Sequence, residues 1–453
     1  ISGNVVTLTG NLEKAGNAMR IISSTASKAS TGMSSFGTSI KGMVSGNFKG
    51  AIADIASYVS YFQVTMKAIQ QAKQGFNDFL NFQKDLTNVS YTMNLSPDQL
   101  QNLGTSAIDM AKDLSMSLDN TMDIYKIYAN MNTTASEIQQ TAKPTAILSN
   151  LSSVDASTAA DQVQGILQQF HMLEDGSTTA ADASMHIVDV LDKVSGSVGI
   201  DYAKGIKIIS DAVQASGQVA YDAGMSYEQL AAITAKVSER TREDGSSIGN
   251  ALKTIITRTT KVGKMPQYAD EVDNATLSNA SASLHAIGVD VYNPDGSDRG
   301  IITVMSELKD KWDDLTDAQQ AKIAFDVAAT RQTSKFKSML DAFTDSMSLA
   351  EEATTANGNA EANQEKYMES TAGKLQAIKT QMQDFWVNFY NSGSVNGVLE
   401  FVHSLTEGFT SLEKTLGPIP ALLTAVFAAM TVKNATMAGL KFLSGGGLAT
   451  VVG

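Results

Sequence analysis

At 453 residues and 43% apolar content, the chain can bury a sizeable core and is too long for one ordinary domain. It has no cysteine, which excludes disulfides, thiol catalysis and thiolate zinc sites. A net charge of −13 repels phosphates and argues against sequence-specific nucleic-acid binding. Only six prolines occur, and because proline breaks helix interiors this scarcity permits long helices. The chain opens on Ile1 and closes on Gly453 in an apolar stretch, and is expected to be a piece of a longer protein.

Residues 1–50 are rich in Gly, Ser and Thr with poor apolar spacing, which predicts a flexible or loosely helical lead-in. From 51 to 95 the character changes. Apolar residues fall at Ile52, Ile55, Val59, Phe62, Met66, Ile69, Ala72, Phe76, Phe79, Phe82, Leu86, Val89 and Met93, in steps of three and four. Such spacing is the seam of a long coiled-coil-like helix. It packs either on a partner helix or on the chain's own domain.

Residues 96–345 show repeated helix starts. Ser96-Pro97-Asp98-Gln99 carries a capping Ser, Pro at the first helical position and Gln at the third. Thr134 with Glu137, Ser226 with Gln229 and Thr316 with Gln319 repeat the device, each before an apolar-periodic stretch. The pattern predicts a bundle of many medium helices. The nearest approach to a strand, Gly288 to Tyr292 before the turn Asn293-Pro294-Asp295-Gly296, reads as a loop or a short bridge. A further long polar helix is expected over 346–395, with a seam at Met368, Leu375, Ile378, Met382 and Phe385. Residues 396–453 turn apolar. Ala421 to Val432, with Leu422, Leu423, Val426, Phe427 and Met430, carries no charge but is shorter than the roughly 20 residues that span a bilayer. This segment is expected to be covered by membrane or by a partner. The fold class is therefore all-α: long coiled-coil-like helices flanking a multi-helix bundle, then an apolar helical C-terminal segment.

Chemistry is harder to find. The histidines His171, His186, His285 and His403 lack ligand spacing. No nucleophile elbow or phosphate-binding loop occurs. The acidic clusters Asp310, Asp313, Asp314 and Glu239, Glu243, Asp244 lie among basic residues, as solvated helix faces and caps do. The twenty methionines are scattered, as adaptable packing requires. No catalytic, metal or cofactor site is expected.

Between Phe82 and Phe343 the chain resembles the core region of bacteriophage tail tape measure proteins. Phe82 to Val89 is similar to the helix that opens the family's core. The segment Tyr221 to Ala231 resembles its Gly-x-Ser-x-x-Glu helix start, and Ser246 to Lys253 its small-residue turn before the next helix. The most distinctive stretch runs from Gly288 through Asp295-Gly296 to Trp312 and Leu315 to Gln320, then on to Ala328-Ala329-Thr330-Arg331-Gln332 and Leu340. The family pattern is expected to carry a glycine where Ala329 stands.

The resemblance implies a structural, non-enzymatic protein that sets tail length, occupies the tail tube lumen and leaves it to assist DNA ejection. The implied partners are the tail tube protein, tail assembly chaperones, distal tail or baseplate hub proteins and, during infection, the host membrane. The implied locations are the virion tail (tube lumen or tip) and, during assembly, the host cytoplasm. A rival reading is a helical pore-forming or membrane-remodelling protein. The seams at 52–79 and 375–385 predict self-association about a common axis, and three strands would fill such a seam well. The competing outcome is a monomer whose seams pack on its own bundle.

Overall fold

The computed structural model describes residues 77–392, apart from 132–133, 175, 177, 261, 263–264 and 266–273. Over these residues the chain is 80% helical, with 15 helices and no strand. The Gly288 to Tyr292 stretch contributes only one isolated antiparallel bridge, between Tyr292 and Asp298.

The described part divides into two compact units. One consists of residues up to 139 together with those from 366 onward, and the other is 140–365. The second is thus an insert within the chain of the first. The first unit holds α1 (77–93), α2 (Pro97–Asp113), α3 (Leu118–Asn130), the start of α4 (Ala135–Ser152) and α15 (Thr371–Ser392). Phe79, Phe82, Leu86 and Val89 form the buried face of α1. Gly104 of α2 lets that face close: a Cβ there would sit 3.0 Å from Leu86 Cδ1. The α2–α3 turn is held from α15, where Thr380 Oγ1 donates to the Met116 carbonyl at 2.6 Å. Gln383 Oε1 accepts from the Leu118 amide at 3.0 Å, satisfying an orphan donor at the start of α3.

The insert holds the rest of α4, α5 (Ala156–Gln169), α6 (Ala180–Gly196), α7 (Tyr202–Asp222), α8 (Tyr227–Thr241), α9 (Gly245–Thr259), α10 (Asn274–His285), α11 (Ile301–Trp312), α12 (Asp317–Asp341), α13 (Phe343–Thr354) and most of α14 (Asn359–Glu369). At its centre α7 packs against α5, α6, α8 and α9. Its buried residues, from Gly205 and Ile206 to Val219 and Ala220, cover more than one stripe, as a helix enclosed by neighbours must. Small residues set the closest approach. A Cβ on Gly245 would lie 2.0 Å from the Ile208 carbonyl oxygen, and one on Gly249 2.7 Å from that of Ala212.

All four expected caps form. Ser96, Thr134, Ser226 and Thr316 each accept from the third helical amide, while Gln99, Glu137, Gln229 and Gln319 reach back to the cap amides. Two expectations need correction. Residues 246–253, read as a turn before a helix, are the opening turns of α9 itself, capped by Asp244, because Gly245 and Gly249 serve helix contact rather than chain reversal. The long helix expected over 346–395 is, within the described residues, three helices. Gly358 takes φ +77° after α13, and the Ser370 hydroxyl accepts from the Gly373 amide to start α15. Within α12, two helical segments join at Ala329 (φ 56°, ψ 166°).

Candidate functional site

Of the seam residues, Phe79 on α1 is fully buried and Ile378 on α15 nearly so, both inside this single chain. Leu375, one turn before Ile378, is 43% exposed. Met382 and Phe385 lie within α15. Ile52, Ile55, Val59, Phe62, Met66, Ile69 and Phe76 lie outside the described residues, as do Leu422, Leu423, Val426, Phe427 and Met430. The seam on α15 is therefore split: one member serves the core of the first unit, and another faces solvent.

A dense polar constellation lies in the insert. Asp189 and Asp192, three apart on α6 and so on one face, are both buried. Asp189 accepts from the Gly358 amide at 2.9 Å and the Ala360 amide at 2.8 Å. Asp192 accepts from the Asn363 side chain at 2.8 Å, from Asn359 and from the Tyr202 hydroxyl. Burial pushes the Asp189 carboxyl above its ordinary range, an effect the two amide bonds partly offset. Burial also pushes the Tyr202 phenol up, and its bond to Asp192 adds to this. Each of the four carboxylate oxygens has a donor supplied by the chain. The arrangement clamps the start of α14, where negative charge meets free amides and the positive end of the helix dipole. It can hold a helix end. Among the described residues, no group of three or more acidic or histidine side chains could hold a metal ion.

Three histidines have carboxylate partners. His186 Nε2 lies 2.6 Å from Glu228 Oε1, joining α6 to the first turn of α8. Burial works against the Glu228 carboxylate, but hydrogen bonds from His186 and Ser226 hold it below its usual range. His171 Nδ1 lies 2.5 Å from Glu174, and its ring stacks on Tyr221 at 4.6 Å. The Glu174 hydrogen bond raises the His171 pKa. His285 pairs with Asp290 at 2.6 Å, and His403 lies outside the described residues. Only His171 and Glu174, three apart, had a local signal. Glu228 is 42 residues from His186, and folding alone joins them.

The acidic clusters behave as solvated faces and caps. Asp310, Asp313 and Asp314 are exposed, and Asp244 caps α9. Glu243 pairs with Lys335 at 2.8 Å, and Glu239 takes the Gly199 amide at 2.6 Å while pairing with Lys236. Among the described residues, the exposed large apolar side chains are Tyr91, Leu173, Tyr221, Phe325 and Leu375, and of these Tyr221 stacks on a histidine ring. No helix among the described residues is long and apolar enough to cross a membrane.

What the arrangement supports is holding rather than reacting. Residues 104–329 match the family model of the phage-related minor tail protein, which supports a place in the phage tail. The match runs from the glycine that packs α1 on α2 to the Ala329 kink in α12. No solved structure matches the chain.

Proposed function

We propose that this phage tail protein is the tape measure of its tail: it sets tail length during assembly, lies in the tube lumen, and leaves it to assist DNA ejection. The observation that carries the reading is the minor-tail match over 104–329 in a chain that is 80% helical where described. Helix converts residue number into distance at about 1.5 Å per residue, which is what a ruler needs. The charge of −13 suits an object that shares a channel with DNA and must not adhere to it. Copies in a symmetric tube would be related by rotation, with Leu375 and the 52–76 seam as their contacts. Tail tube protein, assembly chaperones and distal hub proteins are the partners this reading requires, and the apolar 421–432 segment would meet the host membrane.

The test is tail length by electron microscopy. Virions carrying an in-frame deletion of about three heptads within 51–76 should have tails shorter by about 30 Å. Tails of unchanged length would refute the reading. Liposome leakage by the isolated chain, together with unchanged tails, would favour the pore-forming alternative.

A further inference from the structure

The two ends of the insert meet. Lys143, near the start of its first helix, forms a 2.5 Å ion pair with Glu361 near its end. The Asn150 side chain donates to Gln364 Oε1 at 3.3 Å. These pairs lay α4 beside α14, so the backbone at 143 and 361 is separated by no more than two side-chain lengths. The Asp189 and Asp192 clamp then fixes the start of α14 to α6. As one continuous helix the 226 residues 140–365 would extend about 340 Å. By the reach of these paired side chains and the helical rise to residues 140 and 365, the chain leaves about 20 Å from where it enters.

We infer that residues 140–365 ride on the ruler as a closed bead and add almost nothing to the length it measures. This rests on the length-setting reading proposed above, and it assigns the length-counting role to chain outside the insert. Most of the minor-tail match, everything after residue 139, belongs to the bead.

Two matched insertions separate the bead from the reading it rests on. A helical block of four heptads, about 28 residues and so about 42 Å, is placed in the exposed turn between Asp295 and Gly296, or alternatively within 51–76. The expected result is unchanged tails for the turn insertion and tails about 42 Å longer for the other. Lengthening in both, or from the turn alone, would mean the insert is drawn out in the tail, and would overturn the inference while leaving length-setting intact. No lengthening in either would sink the length-setting reading and the bead with it. A second measurement stands even if the turn insertion yields no tails. Gln140 and Glu365 are exposed and the chain has no cysteine, so Gln140→Cys with Glu365→Cys gives two unique labelling sites. Spin labels in the purified chain should report a separation of about 20 Å, and one beyond about 50 Å would overturn the bead outright.

Discussion

Replacing Ala329 with glycine should stabilise the protein, although it puts the poorest non-proline helix former inside α12. The backbone at 329 has φ 56° and ψ 166°, at the edge of a region that only glycine fills without strain. A side chain held there costs on the order of 1–3 kcal/mol. Glycine removes that strain but gains unfolded-state freedom worth about 0.5–1 kcal/mol. The lost methyl is half-buried, so about half of the roughly 0.8 kcal/mol of a buried carbon is forfeited. The net is a gain of about 1 kcal/mol, or about 2–4 °C in melting temperature for a unit of this size. Ala328 supplies the control. It is fully buried, and α12 departs from helical geometry only at its neighbour. Ala328→Gly should therefore lose about 1 kcal/mol of propensity plus its buried methyl. Thermal melts followed by circular dichroism at helix wavelengths should move in opposite directions for the two variants. If Ala329→Gly lowers the melting temperature as Ala328→Gly does, the kink is not strained and the reasoning fails.

Asp189→Ala should destabilise the insert by about 2–4 kcal/mol, because it orphans the Gly358 and Ala360 amides together; a urea titration reads this directly. Gly245→Ala should also destabilise, by about 1–3 kcal/mol, although alanine is ordinarily the better helix former. Its methyl would meet the Ile208 carbonyl and force α7 from α9, so a raised melting temperature would refute the contact. Glu228 has a lowered folded pKa, so its contribution is present above its unfolded value near 4.5 and is lost as pH falls through the folded value. The difference in melting temperature between the parent chain and Glu228→Gln should therefore shrink below about pH 4.5. Under the self-association proposed above, Leu375→Asp on α15 should dissociate the copies without loss of helix, whereas Ile378→Asp should disrupt the first unit itself. Light scattering and circular dichroism, measured together, distinguish these outcomes.

Local chemistry was readable from the sequence, and long-range chemistry was not. Ser96, Thr134, Ser226 and Thr316 announced their helices because a cap and its partner lie three residues apart, within reach of any pattern. The breaks near 358 and 370 were obscured because Ala, Glu, Asn and Gln favour helix on both sides, leaving Asn357-Gly358 and Ser370 as faint marks. Ala329 could not be found from propensity, since alanine is the best helix former. Only the resemblance, with its expected glycine, pointed there. The Asp189 clamp and the His186–Glu228 pair depend on partners 42 to 171 residues away, and no spacing rule spans that distance. For the seam on α15, periodicity placed Leu375 and Ile378 on one stripe but could not say that the core would take Ile378 and leave Leu375 in water.

The meeting of α4 and α14 also orders events in time. Most helices of the insert cap themselves and pack on near neighbours in sequence, which folds quickly. The Lys143–Glu361 pair instead closes a loop of 218 residues, at an entropic cost of about 5 kcal/mol before any contact repays it. That closure is expected to come last in folding and to open first under load. A pull applied through residues 140 and 365 acts across this pair directly, so the bundle should unzip from its two ends inward while α7, at the centre, lets go last.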